Sequence, residues 1–188
     1  MNALLAAAAE VQGFLEARRW PFCFIGGLAV ARWGMPRATQ DIDLTLYAGY
    51  GGEDAFIHPL LAQFESRVAE AAAFAHRSRT LLLRTPGGVP VDVALGAIPF
   101  EERMVARATL HAFAPGAAIL TCSAEDLVVL KVFAGRDRDW ADVEGILARQ
   151  RGRLDWDSIR RELAPLAEAR EAPDIAARLE QLRRCLGG

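Results

Sequence analysis

Apolar residues crowd the start of the chain. In "NALLAAAAEVQGFLEA" they outnumber the polar positions, and this pattern predicts a helix over 2–18. "FCFIGG" reads as a short buried strand that ends in a tight turn. "LAVARWG" reads as a brief helix, closed by Gly34 and by Pro36, which cannot continue it. "DIDLTLY" alternates: Asp41, Asp43, Thr45 and Tyr47 fall on one face, Ile42, Leu44 and Leu46 on the other. A Gly-rich loop, "AGYGGED", leads into one helix expected over about 56–74. "RTLLLRT" and "VPVDVAL", joined by "PGG", predict a hairpin. Pro90 suggests that the second strand starts near a sheet edge, and Asp92 points away from Val91, Val93 and Leu95.

A helix is expected at 99–107, then two strands, "TLHAF" and "AAILT", around Pro115-Gly116. Beyond Thr121 the pattern turns helical. Ser123 with Asp126 resembles a capping box, and the helix it opens should stop at Gly135. Further helices are expected near 139–150, 155–168 and 173–186. Residues 1–120 therefore read as an α/β (α+β) core with a small mixed β-sheet flanked by helices, and residues 121–188 as a helical region.

Composition narrows the class. Apolar residues make up 52% of the 188, charged residues 24%, and the net charge is −2, so no overall basic field points to nucleic acid. The Ala-rich start lacks a basic leader and carries Glu10 and Glu16, which favours a helix over a signal peptide. No run approaches the roughly 18 apolar residues of a membrane span. Cys23, Cys122 and Cys185 are scattered, show no metal-ligand spacing, and suit a reducing cytoplasm. Of 22 basic residues only Lys131 is a lysine. It lies among apolar neighbours at helical spacing, with no acid at those positions. It reads either as a surface lysine covering the core with its stem or as a point charge for a phosphate oxygen.

The aspartates carry the chemistry. Asp41 and Asp43 lie about 6.6 Å apart along one strand face. Such a face is often simply wet. Yet two carboxylates this close repel each other, and a hard divalent cation such as Mg²⁺ or Mn²⁺ removes that cost. Asp92 on another strand offers a third carboxylate, as metal ligand or as base. Gly26-Gly27 at a strand end lets a phosphate approach backbone N–H groups at a helix start, and Arg37 can offset phosphate charge.

"GGLAVARWGMPRATQDIDL" resembles the signature of the polymerase-β-like nucleotidyltransferase superfamily: a small-residue turn, D-x-D on the next strand, and a third Asp later. Gly26, Gly27, Asp41, Asp43 and Asp92 match it. The G-G form with R-x-T-x-D-x-D, which takes in Arg37 and Thr39, looks most like the AbiEii-type branch of toxin–antitoxin and phage-defence systems. It is also similar to small antibiotic nucleotidyltransferases. The superfamily's usual Gly-Ser is Gly-Gly here. "SAEDLVVLKVFAGRDRDWAD" is similar to the AbiEii-type pattern through Ser123, Glu125, Asp126, Lys131, Arg136, Asp139 and Asp142. Asp139 and Asp142 read equally as a helix cap and a first-turn acid.

The resemblance implies a Mg²⁺-dependent, ATP- or other NTP-using transferase, with the helical region completing the cleft. Asp41, Asp43 and Asp92 would be catalytic and metal-binding. Gly26, Gly27, Arg37, Thr39 and Lys131 would bind the nucleotide. The acceptor stays open between RNA, protein and a small molecule such as an antibiotic, and an antitoxin protein is an expected partner. A non-catalytic nucleotide-binding module is the reading from another class.

Overall fold

A computed structural model of the protein describes residues 3–172 and 174–186. In chain order the elements are α1 (Ala3–Ala17), β1 (Phe22–Phe24), α2 (Gly26–Trp33), β2 (Ile42–Tyr47), α3 (Asp54–Gln63), β3 (Glu65–Ser66), α4 (Ala71–Ser78), β4 (Thr80–Arg84), β5 (Pro90–Gly96), α5 (Pro99–Ala106), β6 (Thr109–Ala114), β7 (Ala117–Thr121), α6 (Ala124–Ala134), α7 (Asp137–Arg149), α8 (Trp156–Ala169) and α9 (Asp174–Leu186). The described strands form one seven-stranded mixed sheet in the order β3-β4-β5-β2-β1-β7-β6. No helix among the described residues is long and apolar enough to cross a membrane.

The described chain divides into two compact units. The first takes residues up to Leu28 and Ala38–Cys122, and so contains the whole sheet. Its core follows the alternation in the sequence: Ile42, Leu44 and Leu46 of β2 and Val91, Val93 and Leu95 of β5 are buried with Leu15, Phe24, Leu81 and Leu83. The second unit takes Ala29–Arg37 and the chain from Ser123 onward. Here the end of α2 packs within the helical part. Arg149 donates from Nη1 to the Gly34 carbonyl at 2.7 Å, and Gln150 donates to the Trp33 carbonyl at 2.8 Å. A Cβ on Gly34 would come within 2.9 Å of Ile146, so a side chain there would force the helices apart.

Two local expectations are corrected. The helix expected over 56–74 is interrupted: Phe64 is extended (φ −121°, ψ 141°) and buried, and Glu65 and Ser66 pair with Arg84 and Leu83. The helical periodicity is real on both sides. Sheet pairing and burial of Phe64 outweigh local propensity at the junction. The second correction concerns Pro90, which begins an interior strand between β4 and β2. The β2–β5 ladder starts at Ile42↔Val91, one residue beyond the proline, so its missing N–H removes no rung toward β2.

Candidate active site

The carboxylates belong to the first unit. Parallel pairing of β2 with β5 sets Asp43 directly beside Asp92, while β1 covers the other edge of β2. Asp41 sits just ahead of β2 and is exposed. Its charge acts on Asp92. Burial pushes the Asp92 carboxyl above the usual carboxylate range, the Arg67 guanidinium pulls it back down, and Asp41 pushes it up again. The net direction is upward, so this carboxylate is held in its charged form at a cost.

Both glycines are demanded by the carboxylate arms. Gly26 has φ +56°, and a Cβ there would sit 1.9 Å from Oδ2 of Asp43. The Asp43 carboxylate therefore lies against the Gly26 backbone at the start of α2, where the helix presents unsatisfied N–H groups. A Cβ on Gly27 would sit 2.4 Å from Oγ1 of Thr39, and that hydroxyl donates to Oδ1 of Asp41 at 2.8 Å. Gly26 thus makes room for Asp43, and Gly27 for the threonine that holds Asp41. A serine at position 27 would collide with Thr39, which accounts for Gly-Gly in place of Gly-Ser.

Asp92 has a partner that the sequence did not suggest. Nη2 of Arg67 donates to Oδ1 of Asp92. Arg67 follows β3 inside the segment read as one helix, so its placement depended on a strand that the periodicity concealed. Among the described residues, no group of three or more His, Cys, Asp or Glu side chains is arranged to hold a metal ion. The donor chemistry does fit a hard divalent cation. Such ions take one or two carboxylates and complete their shell with phosphate and water, and Asp43 and Asp92 offer adjacent oxygen donors with Asp41 close by.

Lys131 and Arg37 belong to the second unit, and both meet Asp142. Lys131 Nζ lies 2.9 Å from Oδ1 of Asp139 and 2.8 Å from Oδ2 of Asp142. Arg37 grips Asp142 with two donors, Nε at 2.8 Å and Nη2 at 3.0 Å. Arg136 closes on Asp139 through Nε at 2.6 Å. Two buried carboxylates thereby bridge three cations. Burial pushes the Asp139 carboxyl up, but the hydrogen bonds from Arg136 and Lys131 outweigh it and hold the group below its ordinary range. Asp142 follows the same pattern: burial is the largest single influence and pushes it up, and Arg37 and Lys131 together hold it below its ordinary range. The acids that Lys131 lacked at helical spacing come from the next helix. Asp139 also accepts the Arg136 backbone N–H at 3.3 Å, so it caps α7 and binds the lysine at once.

Two solved structures share this fold. An antigenic nucleotidyltransferase-like protein from Paracoccidioides brasiliensis superposes with a TM-score of 0.51 at 20% identity, covering 93% of this chain and 90% of that one. The antibiotic-resistance factor ANT(2'')-Ia, in its solution structure, gives a TM-score of 0.50 at 15% identity, covering 97% and 90%. No curated protein matches significantly. Residues 15–184 match the family model described as the nucleotidyl transferase AbiEii toxin of type IV toxin–antitoxin systems. The chain belongs to that family.

Proposed function

We propose that the protein transfers a nucleoside monophosphate from an NTP to an acceptor hydroxyl on RNA or protein, releasing pyrophosphate, with Mg²⁺ held by Asp41, Asp43 and Asp92. The observation that supports this most directly is the side-by-side placement of Asp43 and Asp92, with the Asp43 carboxylate against the Gly26 backbone at the start of α2. A bound Mg²⁺ would offset the charge that develops on the triphosphate as pyrophosphate leaves.

The chain's own groups do the rest. Backbone N–H groups at the start of α2 meet phosphate oxygens. Thr39 fixes the Asp41 carboxylate through its 2.8 Å hydrogen bond. Asp92, with its carboxyl raised by burial, stands as metal ligand or as acceptor of the incoming hydroxyl's proton. The resemblance also gives Arg37 and Lys131 a nucleotide-binding role; within the helical unit both cations pair with Asp142, and Lys131 with Asp139 as well. Membership of a toxin family supports an antitoxin protein as partner.

The reading is tested by Mg²⁺-dependent NTP binding in wild type and in Asp41→Ala/Asp43→Ala. Binding should require the metal and be lost in the double variant; binding indifferent to both would overturn the reading. Labelled NTP offered with total RNA, and with the protein alone, then identifies the acceptor. Label on neither, but on an added aminoglycoside, would move the acceptor to small molecules.

A further inference from the structure

Arg67 lies beside the carboxylates and plays no part in the mechanism above. Its placement is built in. The Arg67 backbone N–H donates to the Leu82 carbonyl at 2.8 Å, and Leu82 pairs across the ladder with Asp92. The next residues are fixed by a small turn, in which Ser66 Oγ donates to the Val68 carbonyl at 2.8 Å and accepts the Val68 N–H at 3.1 Å. Across the sheet, Asp92 therefore has Asp43 on one side and the Arg67 anchor on the other. The guanidinium meets one Asp92 oxygen through Nη2. Its Nε is buried without a hydrogen-bond partner among the described residues, an expensive arrangement unless a ligand oxygen satisfies it.

The geometry points to Arg67 as the residue that makes this site prefer a metal–nucleotide over the free metal. This inference rests on the metal-binding role proposed above for the three aspartates. The neighbouring carboxylates alone would attract a free divalent cation and leave a surplus negative charge facing a triphosphate. The fixed positive charge of Arg67 reduces that surplus. It competes with a free cation for Asp92 and at the same time favours a cation that arrives with an anionic phosphate chain. The two effects have opposite signs, which separates them from a purely structural role.

Two constants are measured on the full chain: Mn²⁺ binding by the loss of the free-ion EPR signal, and binding of Mn²⁺ with the non-hydrolysable α,β-methylene ATP by calorimetry. Arg67→Gln should bind free Mn²⁺ about tenfold more tightly and the metal–nucleotide about tenfold more weakly. Arg67→Lys keeps the charge and should stay within about threefold of wild type in both. If Arg67→Gln moves both constants in one direction, or neither, the assignment falls. If Arg67→Gln does not fold, a loss of more than about tenfold in both constants for Arg67→Lys overturns it. Asp41→Asn/Asp43→Asn separates the parent reading. Unchanged Mn²⁺ binding in that variant removes the metal role and the Arg67 assignment together. Loss of binding there, with a one-direction response in Arg67→Gln, removes the Arg67 assignment alone.

Discussion

At residue scale, the glycine pair is a packing device. Gly26→Ala puts a methyl group into the space of the Asp43 carboxylate and strains a backbone at φ +56°. It should cost about 2 kcal/mol in urea unfolding and displace Asp43, so that NTP binding falls more than stability does. Asp92→Asn has a different expected signature. The Asp92 carboxyl is raised in the folded state, so its ionised form opposes folding at neutral pH. The amide variant should melt no lower than wild type while transfer activity is lost; a clearly lower melting temperature would mean that the Arg67 pair outweighs the burial of the charge. Both aspartate arms and the glycines were legible in the sequence, because D-x-D after a glycine turn keeps chemistry and spacing together. Arg67 was not, because nothing in its own surroundings marks it and its partner lies 25 positions away.

At the scale of elements, alternation told which face Asp92 occupies but not which strand lies beside it. That register depends on β5 pairing in parallel with β2 across the hairpin it forms with β4, a topological fact with no local signature. The helix over 56–74 failed for the same reason, since a two-residue strand pairs with a partner some twenty residues on. The cap of α6 was local and therefore readable. Ser123 Oγ accepts the Asp126 N–H at 3.0 Å and donates to the buried Asp126 carboxylate at 2.8 Å. Ser123→Ala should cost about 1 kcal/mol, measured by chemical denaturation.

For the whole molecule, two buried carboxylates give the helical unit an acid response of its own. Asp139 and Asp142 have folded-state values below those of an unfolded carboxylate, near pH 4. Their contribution to stability is complete above about pH 4 and is lost as the pH falls through the lower, folded values. Asp142→Asn removes a carboxylate shared by Lys131 and Arg37 and should cost about 3 kcal/mol at neutral pH. The melting-temperature gap between wild type and this variant should narrow as the pH drops below about 4. A gap that stays constant would mean that the network does not carry the acid response. The change from mixed to helical structure near residue 120 was legible as a loss of alternation. That residues 29–37 group with the helical unit was not, because the tie is made by Arg149 and Gln150 bonding back to the end of α2.

The single lysine has a chemical corollary. Lys131 is 8% exposed and its amine is engaged by two carboxylates, so the folded chain offers acylating reagents no accessible side-chain amine. Acetylating enzymes and amine-coupling dyes should leave position 131 unmodified in the native protein and reach it only when the ion pairs open. The extent of acylation at that one site, read by mass spectrometry, therefore works as a built-in gauge of how often the helical unit unfolds.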